Sequence, residues 1–527
     1  MAGERTNKRR GRTQSLLPSS STSYDRPNSI SCWYCDFKLF AFNDFLFNLG
    51  WQNSRFLKKW FSLGVCFSLF AFVGVLMMLL WYSFGSFRLE NGSFGFDSYL
   101  ASSWSISMMD AGIMILSSLM SVAFHEFGHG IAAASEGLQI EYISIFLAIL
   151  FPGALVALNY DLLQALPSFA ALRIYCAGVW HNVVLCAVCA LMLISLPLVL
   201  CPIYIHGEGP IVLEVQQTSS LSGFLSSYDV IVSVDGSKIR TSDDWMKMMV
   251  QINAQTFSKP HSLEAQNYRA ISARKGYCVP YSWLERSMTL LEEGDQFSCP
   301  NKLAAFESMS CFNSSLLAGN RNRIKETGDK YCLTAKDVIK LKKCGTGWQM
   351  TETDGINCFC SEEESCMTPV QIPGISWVEI SYTSPYSSEC LQHRQNLSST
   401  DPENPYLGSS SCGGTFVYVG DVLSVAHSIQ LSSYRPQSTL IIFSAHIPFI
   451  LEKTFVCTLL VSASLVYLNC LPVYFLDGES ILEKCLGYVT WFTRRQQRKI
   501  LQLCLLGGTV LSIIVFSKFL YSMLAIS

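Results

Sequence analysis

The amino-acid sequence predicts a polytopic α-helical membrane protein with about five spans, a re-entrant hairpin, and a lumenal β domain that carries a cysteine-rich insertion. Of its 527 residues, 50% are hydrophobic and only 15% are charged, whereas a soluble domain carries roughly 25% charged residues. Several apolar runs are long enough to cross a bilayer, and ten of the 21 cysteines lie in one long polar segment. The formal net charge of -2 offers no basic excess for a nucleic-acid partner.

The spans are predicted from runs that contain few or no charges, which makes the lipid bilayer a partner. The run from Phe61 to Phe84 has no charged residue, and its length is enough to cross a hydrocarbon core of about 30 Å. The other four spans are predicted at Ala111 to Ala134, Leu172 to Leu200, about Phe455 to Phe475, and Leu501 to Leu524. The membrane core thus has two parts, residues 61–200 and 451–527.

The segment at residues 143–159 is apolar, but Pro152-Gly153 interrupts it. It is too short and too bent for two passes. Irregular backbone is tolerated at membrane depth only where its polar groups are satisfied by protein. We therefore expect a re-entrant hairpin that rests against the other spans.

Basic residues predict the orientation. They cluster before the first and last spans, and the positive-inside rule places both clusters, and hence the N-terminus, in the cytosol. Residues 201–450 then fall on the lumenal side, which agrees with their cysteines, since disulfides and glycosylation belong to an oxidising compartment. The basic residues are Arg55, Lys58, Lys59, Arg494, Arg495, Arg498 and Lys499, and the glycosylation candidates are Asn91, Asn313 and Asn396.

Residues 1–60 are predicted to be a disordered, basic cytosolic tail. The segment opens with the basic run Lys8–Arg12 and continues through a Ser-rich stretch, a composition that cannot bury a core. Cys32 and Cys35 form a CxxC, but no second Cys or His pair lies nearby to complete a zinc site. A segment that lies on the membrane surface or is lipidated is the alternative.

The lumenal segment begins with a short hairpin pattern. Between Ser220 and Ile239, alternating apolar residues surround an Asp235-Gly236 turn. This pattern resembles the core of a PDZ domain, although Tyr228 stands where the usual Gly precedes the Asp. Residues 415–426 are predicted to supply a returning strand, which makes the cysteine-rich part, about 278–412, an insertion. An unrelated small β domain held by disulfides is the alternative.

His125-Glu126-Phe127-Gly128-His129 is an HExxH motif within the second apolar run. Residues at i and i+4 lie on one face of a helix, so both imidazoles can bind one metal ion while Glu126 reaches a water molecule. Ionisable groups inside a membrane segment are costly and indicate function. Interhelical hydrogen bonding is the alternative, but it does not require this spacing.

A catalytic zinc also needs a third protein ligand and an open position. The fourth span ends with the segment Asn469 to Gly478, which includes Leu476-Asp477-Gly478 and places a carboxylate at a cytosolic helix end, at a similar depth to HExxH. Pro472 ends the helix, and Gly478 permits a close backbone approach. Asp477 is therefore the predicted third ligand, with a solvated helix-terminal Asp as the alternative.

The two motifs together resemble the site-2 protease family of intramembrane metalloproteases. The run from Cys176 to Asn182 is similar to the AG..HN segment of its eukaryotic branch, in which a lumenal PDZ-like domain with a cysteine-rich insertion is characteristic. The similarity extends from about Phe61 to Leu524. It implies one Zn²⁺ per chain on His125, His129 and Asp477, with Glu126 as the catalytic residue.

The resemblance also implies a biological role. The substrates are single-span, membrane-tethered transcription factors, and an upstream lumenal protease of the site-1 type acts on them first. The enzyme is then a multi-pass protein of the Golgi, the endoplasmic reticulum or both. The lumenal domain would either exclude large substrates by size or capture the terminus that the first cut leaves.

A helical substrate must unwind before cleavage, because its carbonyl groups are hydrogen-bonded. Asn182 and Asn469 are candidates for holding the unwound strand or lining a water path, with helix-to-helix hydrogen bonds as the alternative. The hairpin offers a strand edge for β-augmentation. Two rival functions are a CAAX-type zinc protease, with Glu136 or Glu141 as a ligand, and a non-catalytic lumenal scaffold.

Overall fold

The computed structural model describes residues 29–31, 34–84, 108–148, 151–257, 275–286, 299, 303–308, 330–345, 348, 360–361, 363–370, 376–397 and 412–526. The chain divides into two compact units. The first consists of Met1–Leu193 and Thr454–Ser527, and the second consists of Ile194–Lys453.

The longest helices lie wholly or mainly in the first unit. In chain order they are α1 (Asn43–Gln52), α2 (Ser54–Phe84), α3 (Met108–Ser135), α4 (Tyr160–Ala165), α5 (Ser168–Tyr175), α6 (Ala177–Leu200), α7 (Ser242–Phe257), α8 (Tyr281–Arg286), α9 (Ala335–Val338), α10 (Ser388–Leu397), α11 (Val422–His427), α12 (His446–Asn469), α13 (Asp477–Gly487) and α14 (Arg494–Ile526). A 3₁₀ turn, Thr439–Ser444, precedes α12.

The strands form three antiparallel sheets. They are β1 (Ser29–Ser31), β2 (Tyr34–Leu39), β3 (Ile140–Ala148), β4 (Phe151–Leu158), β5 (Tyr204–Val215), β6 (Val230–Val234), β7 (Ser237–Lys238), β8 (Gly276–Pro280), β9 (Ala304–Ser308), β10 (Lys330–Leu333), β11 (Lys343–Cys344), β12 (Glu364–Pro369), β13 (Ser376–Thr383), β14 (Gly413–Gly420) and β15 (Ile429–Pro436).

Five segments in the described part of the chain are long and apolar enough to cross a membrane, as the sequence predicts. They are Ser54–Trp81, Met108–Ser135, Ala177–Leu200, Ile441–Asn469 and Arg494–Lys518. Two boundaries differ from the prediction. The third span begins at Ala177, because the chain breaks at Cys176 between α5 and α6, and the fourth ends at Asn469 rather than near Phe475.

The segment before the first span differs from the predicted disordered tail. From Ser29 onward its described residues form β1, β2 and α1. The physical reason is a set of contacts with distant parts of the chain. Strand β2 pairs with β3, and Leu46 of α1 packs in one buried cluster with Ile131 of α3. Residues 1–28 and Cys32 lie outside the described residues, so the CxxC hypothesis stays a prediction.

The apolar segment that follows α3 is a β-hairpin. Strands β3 and β4 pair from Ile140↔Leu158 to Ala148↔Phe151, and with β1 and β2 they form a sheet in the order β1-β2-β3-β4. Strand β4 is therefore at one edge. One face of the hairpin packs on α3, since Ile140 and Val156 belong to the same buried cluster as Ile131.

The second unit contains a six-stranded sheet in the order β14-β13-β6-β5-β15, with β7 paired to β6. Asp235 and Gly236 form the β6–β7 turn with positive φ angles of 51° and 83°, as the Asp-Gly hairpin pattern predicts. Its core packs Ile231, Ile380 and Leu431 against Trp245 of α7. The predicted returning strand is β14, which ends at Gly420 before α11. The PDZ identity and lumenal placement stay predictions.

The cysteine-rich insertion forms its own sheet in the order β10-β9-β12-β8-β11. Among its described residues, three disulfides cross-link it, Cys278–Cys360, Cys299–Cys332 and Cys344–Cys366, while Cys390–Cys412 closes the β13–β14 connection. Its small core centres on Tyr277, Phe306 and Met367, which are fully buried. Asn91 and Asn313 lie outside the described residues, and Asn396 lies in α10, so glycosylation stays a prediction.

Polar contacts join the insertion to the larger sheet within this unit. Glu379 of β13 accepts from the Lys343 ammonium at 2.7 Å and from the Tyr277 hydroxyl at 3.1 Å. Burial, together with the Glu379 carboxylate, raises the pKa of the Tyr277 phenol. The phenol therefore keeps its proton and donates it in this contact. Lys275 forms a second ion pair with Asp235.

Candidate metal centre

Helix α3 carries the HExxH motif on its final turns. One side of this helix packs inside the unit, and its buried residues recur at helical spacing: Ser117, Ser121, His125 and Gly128. His125 and His129 lie one turn apart on that side, and their Nε2 atoms are 3.2 Å from each other. The predicted pairing of the two imidazoles is therefore present in the structure.

The break between α5 and α6 orients His129. Its Nδ1 lies 2.8 Å from the carbonyl oxygen of Ile174, which belongs to the last turn of α5. Since a carbonyl only accepts, Nδ1 carries the proton and Nε2 keeps a free lone pair directed at the centre of the site. This tautomer is the one that a metal ion requires.

Asp477 follows a tight turn that connects α12 to α13. It is the first residue of α13, so it stands at the start of a new helix, whereas the sequence placed it at the end of the fourth span. The turn depends on a glycine, because a Cβ on Gly478 would lie 2.1 Å from the Leu471 carbonyl oxygen. Phe475 has a positive φ of 70° within this turn, and its N–H donates to Glu479 Oε2 at 2.9 Å.

The three predicted ligand atoms form a nearly equilateral triangle. Asp477 Oδ2 lies 3.2 Å from His125 Nε2 and 3.3 Å from His129 Nε2, and the two Nε2 atoms are 3.2 Å apart. A tetrahedral ion with ligands at about 2.0–2.1 Å requires edges of about 3.3–3.4 Å. The triangle therefore has the size of one face of such a coordination sphere.

The hydrogen-bonding pattern also fits a metal ion. Asp477 Oδ2 is buried and accepts no hydrogen bond in the described structure. His129 does not donate to it, because the proton of this imidazole is on Nδ1 and is donated to the Ile174 carbonyl oxygen. A buried carboxylate oxygen that faces two imidazole lone pairs is unfavourable unless a cation lies between them. Two imidazoles and one carboxylate are a ligand set that zinc uses in proteases.

Asn182 lies behind His125. This fully buried residue of α6 places its amide nitrogen, Nδ2, 3.1 Å from His125 Nδ1. When Nε2 binds a metal, Nδ1 carries the proton, and a 180° rotation of the Asn182 amide then presents the carbonyl oxygen as the matching acceptor. That oxygen has no other partner in the described structure. The contact favours the helix-to-helix alternative for Asn182 over contact with substrate.

Glu126 stands beside the ligands and touches the edge strand. Its Oε2 accepts a hydrogen bond from the backbone N–H of Val156 at 3.0 Å. Val156 belongs to β4, so this N–H points out of the free edge of the sheet. The hairpin therefore orients the predicted general base through a backbone hydrogen bond. The HExxH motif by itself does not predict this role for the hairpin.

Two other glutamates, which a CAAX-type site would use, do not join the ligands. Glu136 pairs instead with Lys58 and Arg173, each at 3.2 Å, while Glu141 is exposed on β3. Asn469 is the half-buried last residue of α12, and its role toward substrate stays a prediction.

Gly178 lets α6 approach the metal ligands. A Cβ at this position would lie 2.4 Å from His129 Nε2 and 2.5 Å from His125 Nε2. No side chain larger than hydrogen fits there without displacing a ligand. The sequence analysis included this glycine only as part of the AG..HN segment and did not explain why a glycine is needed there.

The chain is similar to known proteins over most of its length. A model of peptidase family M50 matches residues 113–515. The chain belongs to peptidase family M50. The chain is also similar to the membrane-bound transcription factor site-2 protease homolog of Arabidopsis thaliana, with 42% identity over 498 residues. The alignment covers 93% of this chain and 92% of the relative. It is an intramembrane metalloprotease of regulated intramembrane proteolysis.

Proposed function

We propose that the protein is a zinc-dependent site-2 protease that cleaves single-span, membrane-tethered transcription factors in or near their transmembrane segment. The observation that carries this proposal is the triangle of His125, His129 and Asp477 with Glu126 beside it. Zinc, when bound, supplies a Lewis acid that polarises a peptide carbonyl and lowers the pKa of a water molecule.

Glu126 is the general base in this proposal. Its carboxylate accepts the proton of the attacking water and returns it to the leaving amine. The N–H of Val156 holds Oε2 at 3.0 Å, which leaves Oε1 to receive the proton. Asn182 and Ile174 hold the two imidazoles in the tautomer that binds metal.

The edge of β4 is the proposed docking strand for unwound substrate. Strand β2 covers the other side of the hairpin, so the free backbone groups of β4 are those that face Glu126. An extended substrate segment that pairs with β4 would satisfy its own backbone groups inside the membrane. Asn469 is proposed to contact the same segment.

The cellular setting follows from the family and the charge pattern. We place the enzyme in the Golgi, the endoplasmic reticulum or both, with a cytosolic N-terminus and a lumenal second unit. An upstream site-1 type protease would first shorten the lumenal part of the substrate. Progressive enlargement of a substrate's lumenal stub separates the two proposed roles of the second unit: size exclusion predicts gradual inhibition, and terminus capture predicts sensitivity to the terminal residues.

The decisive test uses purified full-length protein in detergent and a tagged single-span substrate with a short lumenal stub. Glu126→Gln keeps the side-chain shape and all three ligands, so zinc content should equal that of wild type. Cleavage should fall about 10²- to 10⁴-fold, the usual contribution of a general base, and a chelator should abolish the wild-type activity.

Equal cleavage by wild type and Glu126→Gln would contradict the catalytic assignment. Stoichiometric zinc in both without any cleavage, over a series of single-span substrates, would favour the scaffold alternative.

A further inference from the structure

Glu136 is a buried carboxylate that the metal site does not use. It follows the end of α3, and its side chain is only 7% exposed. Each oxygen faces its own cation, with Lys58 Nζ 3.2 Å from Oε2 and Arg173 Nε 3.2 Å from Oε1. The contact with Arg173 is ionic, since neither Oε1 nor Nε forms a hydrogen bond within the described residues. A carboxylate this deeply buried is costly unless it is paired.

Arg173 is the neighbour of the residue that orients His129. Both Arg173 and Ile174 belong to the last turn of α5. This short helix is thus tied to the α3 segment at two points, through the ion pair with Glu136 and through the Ile174 carbonyl at 2.8 Å from His129 Nδ1. A shift of α5 would move that carbonyl away from the imidazole.

The same short helix packs on the element that begins with the third ligand. Leu172 of α5 and Ile481 of α13 are 3% and 0% exposed and lie in one buried cluster with Val65 of α2. Helix α5 therefore touches both elements that carry metal ligands, α3 and α13. Whatever fixes α5 also sets the spacing between the histidines and Asp477.

We propose that the Glu136–Arg173 ion pair is a positioning device for the metal centre. It holds α5 so that the Ile174 carbonyl keeps His129 in its metal-binding tautomer and Asp477 at the correct distance. Arg suits this task because its guanidinium is always charged. Lys58 of α2, with 42% of its side chain exposed, forms the ion pair with the other oxygen of Glu136, Oε2. The proposal rests on the metal site of the proposed function.

The experiment measures metal binding by the full-length protein in detergent, independently of cleavage. Zinc affinity is determined by competition with a chelating dye, and the visible spectrum of the cobalt-substituted protein reports the ligand geometry. The variants are Glu136→Gln, Arg173→Gln, their combination, and Arg173→Lys. The matched control is Glu141→Gln, which removes an exposed carboxylate from β3, five residues after Glu136 in the chain.

Glu136→Gln and Arg173→Gln should each lower zinc affinity about 10- to 100-fold, the usual effect of losing a group that orients a ligand. The cobalt spectrum should change with it. Because the two residues act as a unit, the combined variant should lose no more than the weaker-binding single variant. Glu141→Gln should match wild type in both measurements.

Wild-type zinc affinity and cobalt spectrum in both single variants would overturn the positioning role, as would losses that simply add in the combined variant. Thermal unfolding of the metal-free proteins identifies any variant that fails to fold. In that case Arg173→Lys decides, since it keeps the charge that the ion pair needs: it should bind zinc within about tenfold of wild type, and a folded Arg173→Lys protein whose affinity falls about 100-fold or more would contradict the proposal. A wild-type protein that binds no zinc contradicts the proposed function instead.

Discussion

At the scale of single residues, the metal centre depends on the ligands and equally on the neighbouring groups that hydrogen-bond to them and fix their orientation. The HExxH spacing and the Leu476-Asp477-Gly478 motif identified all three predicted ligands and the base from the sequence. Two groups that orient His129 and Glu126 were not identified, because the Ile174 carbonyl and the Val156 N–H are backbone atoms. No residue-type pattern can reveal a role that belongs to the backbone.

Gly178 provides a residue-scale prediction. Gly178→Ala places a Cβ 2.4–2.5 Å from the ligand nitrogens of His129 and His125, so at least one ligand must move. Zinc affinity should fall at least about tenfold, with a corresponding loss of cleavage. The measurement is the zinc content of the purified variant after dialysis against a weak chelator.

Gly112→Ala is the control for this prediction. Gly112 lies on α3, and a Cβ built there meets nothing within 4 Å. Both substitutions replace a helical glycine by alanine, so a difference between them isolates the contact with the ligands. Retention of full zinc content by Gly178→Ala would contradict the geometry of the site.

At the scale of elements, hydroxyl pairs join the two helices that lead to the ligands. Ser462 on α12 donates to Ser121 on α3 at 2.9 Å, and Thr458 donates to Ser117 at 3.2 Å. All four are buried. Polar contacts of this kind join helices inside a membrane, where no water competes. They align the segment that ends before Asp477 with the helix that carries HExxH.

A double-mutant cycle tests this alignment. Ser121→Ala, Ser462→Ala and their combination should give a coupling energy of about 0.6 to 1.7 kcal/mol in the free energy of unfolding, the range for interhelical hydrogen bonds. Reversible unfolding in mixed micelles is the measurement. Ser464→Ala is the control, because this exposed hydroxyl donates to Leu460 of its own helix. Strictly additive losses would show that the pair is not coupled.

Elements that depend on distant pairing were the least predictable from sequence. The apolar runs predicted all five candidate spans, since length and the absence of charge are local properties. The secondary structure of the described residues between Ser29 and Trp60 was missed, because β2 is stabilised by β3 and α1 by α3. An alternating segment at Tyr34–Leu39 was the available signal, but a short alternation without a visible partner is weak evidence for a strand.

At the scale of the whole molecule, the two sheets of the second unit differ in what holds them. The six-stranded sheet has an extensive apolar core with Trp245 at its centre. The cysteine-rich sheet has a smaller core, and three disulfides join its described residues. Small cores usually need such cross-links, each of which contributes about 2–4 kcal/mol.

Reduction should therefore open the insertion before the larger sheet. We expect early proteolytic cuts within residues 275–370 after treatment with a reductant, while residues 204–257 remain protected. Limited proteolysis followed by mass spectrometry checks this outcome. Cys201→Ser is the control variant, because Cys201 is exposed and forms no disulfide, and its pattern should match that of wild type. Simultaneous cutting of both sheets would contradict separate stabilisation.

The sequence by itself determined the membrane class, the candidate spans, the cysteine-rich segment and the four residues of the predicted catalytic set, because these depend on composition and short-range spacing. The tertiary structure decided which of those residues meet and what holds them. It moved Asp477 to the start of α13, assigned Asn182 to His125, and paired Glu136 with two cations. These facts depend on contacts between segments far apart in the chain, whose approach is set by packing and not by local pattern.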